Sequence, residues 1–532
     1  MRTRWLFLLF TICLTAGAAE TPDAGENAVR VAEETAAATV GVYSRVGEFD
    51  RFYGSGAVIS ADGYILTSTT AVPPGASAVE VYFADHSRAP AQIAECHPEV
   101  EAVLLKTARA GLPFLPLRSA PPAPGETAYT SGNANNMLKL GDGASFSAGV
   151  VSAIYEIDNA DAQSGYRGTV LETDCAVNPG QDGGPLVDAA GQIIGIVSRG
   201  FSPRRWQGTA VPLGKIIPRF AAFADGRLPA PTAGTPGRGR WGQLAEKFRP
   251  ALVALTVKRR YPPEKIVRRD WTEFRAAQKN WALLDDTERR RITADFFAAD
   301  SVLAANQMVR RPEGAVTGVL VSPQGHIATS VFNVTGKDRT FVDDSQVRLP
   351  LPPITDLAGL EAAGARAEFT VENPVYAITA TLHDGRTADA TIVKIDNASG
   401  IAILKTALTD GISYIDMALA GGARAGEEAA LLGAAPWSVN TGIVSAEKRE
   451  DGTCFQFDAR LNYANSGGAV ISRSGRFLGI AGAPLFPLPV SGRLLPFAPA
   501  ALNQPALSDF TLCPNSGIGI AAHARRIAEL LP

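Results

Sequence analysis

Short runs of β-branched and aliphatic residues, separated by glycine turns, dominate the chain. The run from Ser55 to Thr67 reads SGAVISADGYILT, two β-rich stretches joined at Asp62-Gly63, which predicts a hairpin with a tight turn. It recurs without gaps as TGVLVSPQGHIAT from Thr317 to Thr329, turning at Gln324-Gly325. Downstream, Gly149–Ala153 matches Gly442–Ala446, Gly168–Gly184 matches Gly452–Gly468, and Gly208–Pro212 matches Gly517–Ala521 ahead of a short helix in each half. Four matches in the same order predict a duplicated domain. Many short strands with Gly turns predict an all-β sandwich or barrel.

The pattern breaks in three places. Asp225–Arg240 (DGRLPAPTAGTPGRGR) has no apolar periodicity and reads as a semi-extended linker. After it, Leu244-Ala245-Glu246 opens a short helix into a strand, as Val31-Ala32-Glu33 does in the first copy. Lys258–Arg311, with 13 Lys/Arg against 8 Asp/Glu, lacks strand alternation and reads as one or two helices packed on the barrel. Ala483–Pro514 is a long, apolar, Pro-rich loop of the kind that is usually functional or mobile. The expected division is 1–19, 24–223, a linker 224–240, and 241–532 with insertions at 258–311 and 483–514.

The 532 residues allow two to four domains, each able to bury a core. A net charge of −3 argues against a nucleic-acid binder, which needs a concentrated basic excess. At the start, Arg2 and Arg4 precede an apolar stretch from Trp5 to Leu14 and the small residues Ala16-Gly17-Ala18-Ala19, which predicts a signal peptide over residues 1–19. No later stretch reaches the roughly 18 apolar residues that span a bilayer. The expected product is exported, periplasmic or secreted, and soluble once the signal is cleaved; an uncleaved signal would act as an anchor. Cys13 has no Leu three positions upstream, which argues against a lipid anchor. Cys96, Cys175, Cys454 and Cys513 remain, and an oxidising compartment permits pairing within each half (Cys96 with Cys175, Cys454 with Cys513) or four free thiols.

The hairpin from Gly54 through Ile65-Leu66-Thr67, followed by Asn178-Pro179-Gly180-Gln181-Asp182-Gly183-Gly184-Pro185-Leu186 and Gly195-Ile196-Val197, resembles trypsin-like serine proteases of the HtrA/Deg type. The second copy resembles them through Ile327-Ala328-Thr329 and Asn465-Ser466-Gly467-Gly468-Ala469. The resemblance covers both halves less the insertions, and no stretch resembles the PDZ module that usually follows such domains. It implies two tandem chymotrypsin-fold domains, each a pair of β-barrels with a cleft between them, the second carrying a helical insertion.

Activity in that family requires a Ser nucleophile, a His base and an Asp that orients it. The resemblance puts Thr70 and Phe332 at the His positions, Glu101 and Gly400 at the Asp positions, and Asp182 and Ser466 at the nucleophile. Of six positions only Ser466 is unchanged. Neither Thr70 nor Phe332 accepts a proton at neutral pH, and a lone oxyanion hole retains on the order of 10³ to 10⁴ over the uncatalysed rate. At the oxyanion-hole positions copy one keeps Gly180 and copy two has Ala464. The five histidines, His86, His97, His326, His383 and His523, all fall off the base positions, and His326 reads as a turn or surface side chain. No HExxH, CxxC or i, i+4 His pair points to a metal, and no cofactor is implied. Thr70, Glu101 and Asp182 can converge in copy one's cleft, where two carboxylates would act on a cation or as acid and base, or stand as solvated or capped relics.

The expected protein is therefore an exported tandem pseudoprotease that binds polypeptide by adding it as an extra strand, chiefly in copy one. In copy two, Phe332 and the 483–514 loop are expected to plug the pocket. The alternatives are an active endopeptidase using Ser466 with a non-standard base, and a structural envelope protein that makes its contacts through 258–311.

Overall fold

In a computed structural model of the chain, the structure describes residues 24–157, 166–198, 208–234, 239–260, 263–270, 275–276, 278, 280–289, 292, 314–335, 366–372, 375–449, 452–462, 464–482, 486–487, 494–495 and 519–532. The candidate signal peptide, Cys513 and most of the two insertions lie outside these residues.

After the helix Ala24–Ala38, copy one begins with β1 (Thr39–Val46), β2 (Asp50–Val58), β3 (Tyr64–Ser68), β4 (Ala78–Tyr82), β5 (Arg88–His97) and β6 (Ala102–Thr107). They close a barrel in the order β1-β2-β3-β6-β5-β4. The expected hairpin is β2–β3, in register Gly56↔Thr67, Ala57↔Leu66 and Val58↔Ile65. Its turn needs glycine, because Gly63 adopts φ +97°. The second barrel comprises β7 (Thr127–Gly132), β8 (Ser145–Ile157), β9 (Gly168–Thr173), β10 (Pro185–Asp188), β11 (Ile193–Val197) and β12 (Gly208–Pro212), in the order β8-β7-β10-β11-β12-β9 and closed by β8–β9.

Copy two repeats this order. The helix Arg240–Phe248 leads into β13 (Leu252–Arg260), followed by β14 (Pro263–Asp270), β15 (Gly314–Leu320), β16 (His326–Ser330), β17 (Arg366–Glu372), β18 (Val375–Thr381), β19 (Thr387–Asp396) and β20 (Ile401–Thr406). Six of these close a barrel, β13-β15-β16-β20-β19-β18. The last barrel uses β21 (Glu428–Ala434), β22 (Trp437–Arg449), β23 (Cys454–Phe457), β24 (Ala469–Ser472), β25 (Phe477–Ala481) and, after the two-residue strands β26 (Phe486–Pro487) and β27 (Leu494–Leu495), β28 (Gly519–His523). It closes through β21–β22.

Three sequence expectations are corrected. The insertion is not simply helical: β14 pairs with β17, with Ile266 opposite Thr370, although residues 286–289 do form a helical turn. Prolines 262 and 263 favour extended backbone, and the partner strand lies about a hundred residues away, beyond the reach of a local periodicity argument. The final repeat match slips by two residues. Gly208 pairs with Thr173 and Gly519 with Phe457, so Gly519 rather than Gly517 is the counterpart of Gly208. An even slip keeps every side chain on its face, which is why the pattern tolerated it. The linker is docked at its start: Leu228 is buried, Thr232 N–H donates to Leu117 (2.8 Å), and Ser119 N–H donates to Thr232 (2.9 Å).

In each copy one hydroxyl joins the two barrels. Ser55 Oγ donates to the Gly180 carbonyl at 2.7 Å and accepts the Asn133 N–H at 2.7 Å. In copy two, Thr317 Oγ1 donates to the Ala464 carbonyl at 2.8 Å and accepts the Ala434 N–H at 2.9 Å. The Ser55 and Thr317 amides also donate to the carbonyls of Asp182 (2.7 Å) and Ser466 (3.3 Å). Gly183 (φ +86°) and Gly467 (φ +81°) seal the joint, since a Cβ on either would collide with the Ser55 or Thr317 carbonyl.

The two copies meet through their second barrels, where Ser438 on β22 pairs with Ala153 on β8. Asp174 Oδ2 accepts from the Thr441 N–H (2.6 Å) and Oγ1 (2.8 Å), and Arg460 donates to the carbonyls of Thr173 (3.0 Å) and Cys175 (3.2 Å).

Beneath the docked linker, Arg118 is fully buried. Its guanidinium is paired to Asp188 (2.9 Å) and to both oxygens of Glu126, and it donates to the Ala120 and Pro121 carbonyls at 3.1 and 3.2 Å. Removing one partner of such a cluster strands buried charge, so Arg118→Ala is expected to lower the unfolding free energy of copy one by about 3–5 kcal/mol in urea titrations. A change below about 1 kcal/mol would show that the cluster is solvated.

Candidate active site

In copy one, backbone contacts bring the segments that carry Thr70, Glu101 and Asp182 together. The Thr69 N–H donates to the Glu101 carbonyl at 3.2 Å, which sets the chain carrying exposed Thr70 beside the β5–β6 turn. A Cβ on Gly54 would sit 2.6 Å from both Ala71 Cβ and the Asp182 carbonyl, which places the Thr70-Ala71 turn against the Asp182 loop. Gly183 N–H donates to the Val197 carbonyl at 2.8 Å, and the next residue, Ser198, donates its hydroxyl to Glu101 Oε2 at 2.9 Å.

Glu101 and Asp182 are 4% and 6% exposed, so they are not the solvated relics that the sequence allowed. Burial pushes the Glu101 carboxyl up to about 7, against a partial opposing effect of the Ser198 hydroxyl. Tyr166, buried close by, donates its hydroxyl to Thr169 at 2.7 Å. Burial, with the charges of Glu156 and Glu101, pushes that phenol up to about 12. Glu101 also holds a left-handed backbone (φ +51°), as its counterpart Gly400 does (φ +73°). The matching bond, Val331 N–H to the Gly400 carbonyl at 2.8 Å, confirms the correspondence between copies.

Copy two is closed. Phe332 is fully buried in the helix Val331–Thr335, and the adjacent Asn333 donates through Nδ2 to the Ser466 carbonyl (2.7 Å), Thr329 Oγ1 (2.9 Å) and the Thr317 carbonyl (3.3 Å). Ser466 is fully buried and its hydroxyl donates to the Gly482 carbonyl at 2.7 Å. The amides around it are committed as well: Ala464 and Asn465 N–H both donate to Asn462 Oδ1 at 3.0 Å, and Ser466 N–H donates to the Asn462 carbonyl at 3.0 Å.

The difference between the loops has a backbone cause. Gly180 takes φ +93°, a left-handed conformation, whereas Ala464 does not. In copy one the Asn178 carbonyl therefore accepts from Gln181, three residues on (3.1 Å), while in copy two Asn462 accepts from Ser466, four residues on, as in a helical turn. That turn draws the Ser466 amide onto Asn462 and away from the place where an oxyanion would be received.

No histidine reaches either base position. His326 corrects the sequence reading, being only 9% exposed with its Nδ1 2.7 Å from the Ser322 hydroxyl, and it lies about 13 Å from the far end of β16. His97 lies against Glu99 (3.2 Å), Glu95 (3.7 Å) and the edge of Phe220. His523 packs on Phe455 with Nε2 3.1 Å from the Glu447 carbonyl. His86 and His383 occupy turns beside β4–β5 and β18–β19. The Cys96–Cys175 pairing is not formed: both thiols are free, and Cys175 donates to the Ala128 carbonyl at 3.3 Å. Cys454 is buried with its Sγ 3.7 Å from the Ser399 carbonyl, and its expected partner Cys513 lies outside the described residues. Among the described residues no group of three or more His, Cys, Asp or Glu is arranged to hold a metal, and no helix is long and apolar enough to cross a membrane.

Tandem copies, each a pair of six-stranded barrels joined through the first hairpin and the loop before Asp182 or Ser466, have the architecture of the trypsin-like peptidase fold. The model of the trypsin-like peptidase domain matches residues 54–196 and 316–480, more than half of the chain, and the chain belongs to that family. A probable periplasmic serine endoprotease, DegP-like, of Ectopseudomonas mendocina is 33% identical over 218 residues, 38% of this chain and 43% of that protein. The serine endoprotease DegS of Haemophilus influenzae is 31% identical over 182 residues, 32% of this chain and 50% of its own length. The putative serine protease HhoB of Synechocystis is 30% identical over 161 residues, 30% and 37% of the two chains. The chain thus spans half or less of the length of these relatives. A solved HtrA-type protease, AlgW with tripeptide, aligns at 29% identity over 39% of this chain and 65% of its own, with a TM-score of 0.32.

Ser198, Asn333 and Asn462 were not singled out from the sequence. Asn462, at the Asn178 position of the matched segment, and Asn333, directly after Phe332, stood in recognisable places.

Because the Glu101 carboxyl is raised from 4.5 to about 7 in the fold, its stabilising contribution is complete below about pH 4.5 and is lost as pH rises through 7. At about 1.4 kcal/mol per pH unit the decline amounts to as much as about 3 kcal/mol. Comparing urea unfolding of wild type and Glu101→Gln between pH 5 and 8 should show the decline in wild type only; parallel curves would refute a raised carboxyl.

Proposed function

We propose that the chain is an exported tandem pseudoprotease that holds extended polypeptide in the cleft of copy one without cleaving it. The reading is carried by the Asn462 turn, in which a single residue takes up the Ala464, Asn465 and Ser466 amides around the only retained nucleophile. The Ser466 hydroxyl is turned onto Gly482, and a buried phenyl ring, Phe332, occupies the place of the base. Acyl transfer needs both a proton acceptor within about 3 Å of the nucleophile and donors for the oxyanion. Copy one has an acidic side chain in place of the nucleophile, which cannot be activated as a hydroxyl is.

Binding asks for less. An extended peptide adds to a strand edge through main-chain bonds that do not involve the triad. Copy one keeps the left-handed Gly180 and an exposed Thr70 in its cleft, whereas copy two has filled both places. The Arg2/Arg4 leader supports export, and the word "periplasmic" in the name of the Ectopseudomonas relative accords with it.

Two measurements test this. Purified full-length chain incubated with a fluorophosphonate probe should carry no adduct, and labelling abolished by Ser466→Ala would establish an active hydrolase instead. Fluorescein-labelled β-casein, an unfolded polypeptide, should bind by anisotropy with equal affinity to wild type and Ser466→Ala. Thr70→Trp, which fills the copy-one cleft, should weaken it at least tenfold; unchanged affinity would move binding elsewhere.

A further inference from the structure

The loop of copy one that runs from the end of β9 to Asp182 carries almost all of its carbonyls in hydrogen bonds. Within copy one, Ser147 Oγ serves Ala176 (2.9 Å), Gln181 N–H serves Asn178 (3.1 Å), Asn135 N–H serves Pro179 (2.7 Å), Ser55 Oγ serves Gly180 (2.7 Å), Gly184 N–H serves Gln181 (3.0 Å), and Ser55 N–H serves Asp182 (2.7 Å). At the base of the loop, where Val150 N–H also donates to Asp174 Oδ1 within copy one, the other copy adds further support. Arg460 spreads its guanidinium over the carbonyls on either side of Asp174, at 3.0 Å to Thr173 and 3.2 Å to Cys175. Thr441 supplies both its amide (2.6 Å) and its hydroxyl (2.8 Å) to Asp174 Oδ2.

The equivalent positions of copy one do not return this support. Both copies keep an aspartate that caps the strand before it, Asp174 to Val150 N–H and Asp458 to Ile443 N–H, each at 2.6 Å. Asp458 is exposed, whereas the second oxygen of Asp174 is taken by copy two. The residue in copy one that corresponds to Arg460 is Ala176, which has no side-chain donor to return. A guanidinium presents several donors in a fixed plane, so one residue can set the spacing of two carbonyls at once.

We propose that Arg460 and Thr441 are positioning residues for the neighbouring copy. Copy two, closed at its own cleft, is a fixed template that holds the Thr173–Asp182 loop of copy one in its polypeptide-binding shape. The binding half of this statement rests on the function proposed above; the positioning half stands on its own.

Full-length wild type, Arg460→Gln, Arg460→Lys and Thr441→Val should be compared by hydrogen–deuterium exchange and by anisotropy with fluorescein-labelled β-casein. Arg460→Gln is expected to raise amide exchange across residues 175–183 at least tenfold, to leave β1–β6 at the wild-type rate, and to weaken casein binding at least tenfold. Arg460→Lys, which reaches one carbonyl, should fall between, and Thr441→Val, which keeps its amide, should shift exchange the least. Wild-type exchange over 175–183 in Arg460→Gln would overturn the proposal. If that variant does not fold, wild-type exchange and affinity in both Arg460→Lys and Thr441→Val would overturn it equally. A wild-type chain that fails to bind casein removes the polypeptide reading, while the exchange comparison still decides whether copy two positions the loop.

Discussion

Everything in the two clefts hangs on the hydroxyl that bridges the barrels, Ser55 in copy one and Thr317 in copy two. It sits on the first hairpin, donates to a carbonyl of the nucleophile loop and accepts an amide from the first strand of the second barrel or just beyond it. One short polar side chain therefore fixes three segments that are remote in sequence. The glycine after the nucleophile position completes the contact, because any Cβ there would meet the bridging residue's own carbonyl. The joint uses the nucleophile residue only through its main chain. A fold built this way tolerates aspartate at 182 as readily as serine at 466.

The duplication and its architecture were legible because they are written in local pattern. Gly63 and Gly325 both adopt the left-handed turn that the repeated hairpin demands, and the matched segments around Asp182 and Ser466 occupy equivalent places. The segments carrying Thr70, Glu101 and Asp182 lie together for the same reason. What was not legible depends on distance along the chain or on main-chain conformation. The β14–β17 ladder joins segments about a hundred residues apart. The two-residue slip at Gly519 preserved its hydrophobic pattern and so left no local trace. The closure of copy two by Asn462 follows from the conformation of Ala464, and asparagine is common enough in turns that no residue count would single it out.

The two copies have diverged by small substitutions with large geometric effects. Replacing the left-handed glycine at 180 with alanine at 464 converts a kink into a helical turn and reassigns the amides of the loop. Exchanging alanine at 71 for asparagine at 333 adds a side chain that ties both barrels together at the cleft. Neither change disturbs the barrels, whose cores remain apolar and buried in both copies. Rigidity has been gained where access has been lost.

Glu101 carries a conformational cost of its own, being buried at φ +51°. A non-glycine residue in the left-handed region costs on the order of 1 kcal/mol or more, and confining a carboxyl away from water adds to that. Copy two shows the inexpensive solution at the same place, a glycine with nearly the same backbone angle. A strained, buried acid in one copy beside a relaxed glycine in the other leaves the first cleft with a local conformational cost that the second does not carry.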